Sequence, residues 1–156
     1  MRFFIFLSLI AGFTITTTQQ SKAAVDCIAE TPLPSNISTR KPADNVPQAM
    51  ARYVGTWVGA WQDRGRDALC HRLVITSVDA AGKVHGIYSN GVYAGWKISR
   101  PNYSKVQGSI LEGKLVLDRF PSGNQAHYWF SGEALAGVYE TGGGLISKIT
   151  LRRQQE

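Results

Sequence analysis

The chain has 156 residues, 44% of them hydrophobic and 18% charged, a balance that excludes a disordered tail. Its 16 glycines follow no three-residue period, which excludes a collagen-like chain. Lysine and arginine outnumber aspartate and glutamate 17 to 11, yet they are scattered and form no contiguous stripe for tracking phosphates, so nucleic acid is not an expected partner.

Residues 1–23 read as a secretory signal. Arg2 precedes an uncharged apolar run, 3–15, that is shorter than the roughly 20 residues a membrane span needs. Ser21 and Ala23 are small residues suited to a cleavage site, which places the cut after Ala23 or Ala24. The alternative is an uncleaved N-terminal anchor. No later run is long enough to cross a bilayer, so the expected location is periplasmic or secreted, with no membrane span once the signal is removed. Two cysteines survive processing, Cys27 and Cys70. In an exported chain an even count suggests a disulfide, the alternative being two unpaired thiols.

Residues 24–45 read as a flexible tail, because Pro32, Pro34 and Pro42 break both regular periods. A short helix is expected over 46–53, capped by Asn45 with Pro47 in its first turn. The remainder, within a domain of residues 46–156, reads as strands between turn signals. They fall at 54–62, 69–79, 83–89, 93–100, 105–111, 114–120, 125–131, 134–141 and 145–153. Asn90-Gly91 is a strong short-hairpin signal. No stretch there holds a helical period, so the fold class is all-β. Almost every connection is short, which makes neighbours in sequence neighbours in space. Such a meander exposes two edges unless it closes. The expected architecture is therefore an up-and-down antiparallel β-barrel of eight or nine strands, preceded by the short helix. Two of the nine segments could prove to be one bent strand.

The first strand opens with Gly55-Thr56-Trp57, after a helix-like turn, and the third carries Gly86-Ile87-Tyr88. This resembles the Gly-x-Trp opening of the calycin superfamily, which includes lipocalins, fatty-acid-binding proteins and avidins, and the glycine–small–tyrosine pattern of avidin-like chains. The resemblance implies a ligand-binding barrel. It also implies that Trp57 faces inward at the closed end, under a basic residue of the last strand, Arg152 or Arg153. Small disulfide-tied barrels that inhibit bacterial metalloproteases open similarly, and in them the N-terminal segment enters the protease. The tail 24–45 could act so here.

The informative side chains are aromatic. Trp57 and Trp61 share one strand face, with Gly59 between them, and Val58 and Ala60 make the opposite face apolar as well. Trp57, Trp61, Tyr88, Trp96, Trp129 and Tyr139 are the candidate ligand-binding residues, since an eight-stranded barrel lined by aromatics can hold one small apolar molecule. The alternatives are a filled core and an exposed stacking platform for sugars. His71, His85 and His127 lie on three strands, but their spacing selects no metal site, and no cofactor is expected. No Gly-x-Ser-x-Gly elbow occurs. Asp63-Arg64-Gly65-Arg66-Asp67 reads as a solvated turn, or as an entrance loop for an anion. The leading expectation is an exported, non-enzymatic barrel that binds a small hydrophobic or aromatic ligand. The alternative is a periplasmic protein-binding module, such as a protease-inhibitor-like barrel.

Overall fold

Two-residue turns dictate much of the topology. Arg64-Gly65 and Glu112-Gly113 both have φ between 49° and 77°, the left-handed conformation that matches the twist of a tight hairpin. In the computed structural model, which describes residues 27–155, eight strands follow one another antiparallel. They are β1 (Gly55–Asp63), β2 (Arg66–Val78), β3 (Lys83–Asn90), β4 (Asn102–Leu111), β5 (Lys114–Leu117), β6 (Gln125–Ser131), β7 (Ala134–Thr141) and β8 (Gly144–Arg153). β1 pairs with β8, Trp57 opposite Arg153 and Gly59 opposite Leu151, so the sheet closes into a barrel in sequential order. Closure removes both edges. The proposed signal and residues 24–26 lie outside the described residues.

Strand alternation sends one set of side chains inward. Trp57 and Trp61 of β1, Leu69, Leu73 and Ile75 of β2, Leu115 and Leu117 of β5 and Leu151 of β8 form one buried cluster. Gly137 makes room within it: a Cβ there would lie 2.6 Å from the ring of Tyr128, its cross-strand partner.

One end of the barrel is sealed. The single-turn helix Gln48–Ala51 sits there, with Val46 and Tyr53 in the core and Met50 and Ala51 packed on it. The helix is shorter than expected and its N-cap is Pro47, not Asn45, because Val46 is drawn into the core ahead of it. The Tyr53 hydroxyl donates to the Gly113 carbonyl at 2.8 Å, and Trp57 Nε1 donates to the Tyr53 carbonyl at 2.9 Å. Of the two arginines expected to cover Trp57, Arg153 does so, its guanidinium 4.2 Å from the ring centroid. The same group donates to the Val54 and Arg52 carbonyls at 2.7 and 2.6 Å. Arg52 in turn lies 3.5 Å from the Phe130 ring centroid.

The expected strand over 93–100 is not one. Ala94–Trp96 forms a 3-10 turn, Lys97 is left-handed at φ 58°, and Tyr93 and Ile98 make an isolated bridge. The segment folds back on itself, and Gly95 packs where a Cβ would come within 2.6 Å of the Tyr93 ring. Asn90-Gly91 is likewise no hairpin. Gly91 donates to the Cys70 carbonyl on β2, and β3 resumes its pairing with β4 at Asn90 opposite Asn102, leaving 91–101 as an excursion between them. The barrel therefore has eight strands, the smaller of the two expected numbers.

The segment expected to be a flexible tail is tied down from residue 27 onward. Cys27 is bonded to Cys70. Closing a loop with a sequence separation of 43 restricts the denatured chain by about 4 kcal/mol in the chain-entropy account. Residues 27–30 are helical, and Cys27 with Ile28 covers Val58 and Ala60. This segment buries the apolar outer face of β1. Beyond it, Arg72 donates to Thr31 Oγ1 at 3.0 Å and to the Ile28 carbonyl, Ser89 Oγ to the Pro32 carbonyl at 2.6 Å, and the Arg40 amide to the Thr76 carbonyl at 2.8 Å. Proline denies the segment regular structure but not anchorage, because side chains on β2 and β3 bond its free carbonyls.

Candidate functional site: the open end of the barrel

In a meander the connections alternate between ends. Turn 64–65, excursion 91–101, loop 118–124 and turn 142–143 therefore share the end opposite the helix. Between them opens a cavity of about 500 Å³. Trp61, Tyr88, Trp96, Phe120 and Tyr139 supply its aromatic surface, with Leu69, Ile98 and Ile146 between them. Asn90, Asn102, Ser104, Ser122 and Asn124 supply its polar surface. None of the described lining residues is charged.

Two loops shape the entrance. Excursion 91–101 brings Trp96 and Ile98 over the cavity, with Trp96 edge-on to Tyr93 at 5.7 Å. Tyr93 donates its hydroxyl proton to Asp63 Oδ2 at 2.6 Å, which ties the excursion to the end of β1, and the Asp63 carboxylate raises the Tyr93 pKa. In loop 118–124 the chain leaves β5 early and turns Phe120 inward against Tyr88, at 4.9 Å between ring centroids. Asn124 Nδ2 donates to the Tyr139 hydroxyl at 3.0 Å.

Beneath the cavity lies a buried polar network. His71 is 0% exposed. Its Nδ1 is 2.8 Å from the Ser89 carbonyl and 3.0 Å from Asn90 Oδ1, and its Nε2 is 3.1 Å from the Tyr128 hydroxyl. A backbone carbonyl can only accept, so Nδ1 carries the proton and donates to both oxygens. Nε2 then accepts from Tyr128. Burial lowers the His71 pKa to about 4, against which the bonds to Asn90 and Ser89 act only weakly, so the ring is neutral at pH 7. Burial raises the pKa of Tyr88 and Tyr128, which stay protonated. The Trp61 indole N–H lies near enough to the Tyr88 hydroxyl to lower its pKa slightly, but makes no well-formed hydrogen bond to any described residue. A buried donor left in that state costs about 1–3 kcal/mol.

The six sequence-predicted residues divide between three places. Trp61, Tyr88, Trp96 and Tyr139 line the cavity. Trp57 lies at the sealed end, 1% exposed, away from it. Trp129 alternates with the inward-facing Tyr128 and stands half-buried on the outer side of β6. Trp61 is as buried as Trp57 and touches His71, Tyr128 and Tyr139, so it serves both core and cavity. Of the three histidines only His71 is interior to the network; His85 is exposed and His127 half-buried. Among the described residues no three His, Cys, Asp or Glu side chains converge as a metal site. Arg64 and Arg66 are exposed and do not line the cavity, so 63–67 is a solvated turn that also receives the Tyr93 latch.

Sequence reasoning missed the polar lining and Phe120. Counting 93–100 as a strand put the connection after 114–120 at the other end; only with that segment an excursion does alternation place 118–124 beside 91–101. No family model matches the chain, and no curated relative matches it.

Proposed function

We propose that this chain is an exported barrel of calycin-like architecture that holds one small, uncharged, partly aromatic molecule in its open end, without transforming it. The observation that carries this reading is the cavity of about 500 Å³, within the size range of small-molecule sites, whose described walls are aromatic and neutral-polar with no charged group. The Gly55-Thr56-Trp57 opening under Arg153, in a sequentially wound closed barrel, supports the calycin-like comparison. The Cys27–Cys70 bond supports export. Binding is favoured over catalysis because the one imidazole beneath the cavity is fully buried with both ring nitrogens committed. The protein-binding alternative loses support over residues 27–32, which the disulfide, Arg72 and Ser89 hold against β2 and β3.

Titration with N-phenyl-1-naphthylamine, an uncharged aromatic fluorophore, tests the proposal. Saturable enhancement at one molecule per chain is expected. Trp96→Ala should weaken it by about tenfold, the loss of one well-packed aromatic contact. Unsaturable or unaltered fluorescence would refute the reading.

A further inference from the structure

The hydrogen-bond directions beneath the cavity decide which valences are left for its occupant. Because Ser89 offers only a carbonyl, His71 Nδ1 must donate. The Asn90 atom 3.0 Å from that nitrogen must then be the amide oxygen, which orients the whole side chain. What Asn90 has left is its NH2 group, and this makes no hydrogen bond among the described residues. Tyr139 is similarly spoken for on one side: its oxygen accepts from Asn124, so its own proton is free to donate. Trp61, which also lines the cavity, carries a buried indole N–H that makes no well-formed hydrogen bond among the described residues.

We infer that the occupant presents a neutral hydrogen-bond acceptor, a carbonyl oxygen on a flat apolar ring system, to the Asn90 amide N–H and the Tyr139 O–H. The inference rests on the cavity being a binding site and adds the chemical class of the ligand. Residues of the lining on β3 and β7, Asn90 and Tyr139, each keep an uncommitted donor, and no cationic side chain stands among the described lining residues to neutralise a carboxylate or phosphate. A neutral oxygen satisfies the donors without importing an uncompensated charge. The aromatic faces of Tyr88, Trp96 and Phe120 accommodate the ring. Asn90 is the specificity-determining residue, and His71 is the positioning residue that sets which face of its amide the ligand meets.

A matched pair of probes separates this from simple apolar filling. 4-Chromanone and chroman share one bicyclic skeleton and differ by the carbonyl. Their affinities would be measured by intrinsic tryptophan fluorescence at pH 7. The expectation is that chromanone binds the native protein about tenfold more tightly, as one or two net hydrogen bonds allow. Asn90→Leu should bring chromanone down to the level of chroman while leaving chroman unchanged. Asn90→Asp keeps an acceptor for His71, and so guards the fold, but turns the cavity-facing donor into an acceptor; it should weaken chromanone at least as much. Tyr139→Phe should cost chromanone a smaller factor, about threefold. Equal binding of the two probes, with both displacing N-phenyl-1-naphthylamine, would overturn the acceptor inference and leave the binding cavity standing. Failure of both probes and of the fluorophore to bind would overturn the cavity reading and the inference together.

Discussion

At the sealed end Trp57 is shut from water beneath Arg153, and its indole N–H is bonded to Tyr53. At the open end Trp96 stands half-buried on a loop, over space that no side chain fills. Both are tryptophans near aromatic neighbours, and what separates them is the length of the connections around them. The two-residue turns Glu112-Gly113 and Gly132-Glu133 bring strand ends close enough for Tyr53 and Arg52 to bond across them. Around the mouth, 91–101 and 118–124 are too long to collapse inward. Their apolar residues line the opening instead of closing it. The mouth has tight turns too, at 64–65 and 142–143, and it is the two long connections between them that make the site.

The largest effect that could break this contrast is at Trp57. Trp57→Ala should lower unfolding stability by about 3–5 kcal/mol through lost burial and a cavity, with part of the loss due to the arginine stacked on the ring. Denaturant melts would show it. A variant that melts like the parent would mean that the sealed end is not the stable one.

The next effect comes from the network between the two ends. His71 has a folded pKa near 4 against an ordinary value of 6.5. Above pH 6.5 both folded and unfolded states are neutral, so its stabilisation is complete. As pH falls from 6.5 to 4 the unfolded chain takes up a proton that the folded one refuses, and about 3 kcal/mol is lost. The groups facing the ring, Tyr88, Tyr128 and Trp61, are uncharged and do not oppose this. Stability measured across that window should fall in the native protein and flatten in a His71→Phe variant. A native profile without that slope would contradict the burial of a neutral imidazole.

How far the sequence led differs between the two ends in the same way. Closure and strand order were legible, because alternation and short turns leave few arrangements, whereas the inward Trp57 under a C-terminal arginine was implied only by the calycin resemblance. The open end was not. Residues 93–100 alternate like a strand, but the period arises from Tyr93, Trp96 and Ile98 packing on the mouth, and Gly95 against Tyr93 folds the segment back. Asn90-Gly91 carries the composition of a hairpin, yet the pull of Gly91 onto Cys70 overrides it. Trp129 has the composition of a lining residue and the wrong parity, which one register position decides. The hold on 27–45 depends on Arg72 and Ser89, far along the chain, and local composition cannot reveal it.

Smaller effects sharpen the contrast. Tyr53→Phe removes a bond to the Gly113 carbonyl and should cost about 1 kcal/mol, with no change in binding of N-phenyl-1-naphthylamine. Tyr93→Phe removes the latch to Asp63 on the opposite side of the balance. It should leave the melting temperature unaltered and speed release of the fluorophore in stopped-flow traces. If the two variants exchanged behaviours, the assignment of stability to one end and binding to the other would be reversed.

Backbone amide chemical-shift mapping during titration with N-phenyl-1-naphthylamine tests the central claim most directly. The account predicts shifts concentrated in 91–101, 118–124 and the adjoining ends of β3 and β7, with the helix Gln48–Ala51 and the turn at Glu112 and Gly113 silent. Shifts centred on that helix and turn, or spread over the outer faces of the strands with the mouth silent, would contradict it.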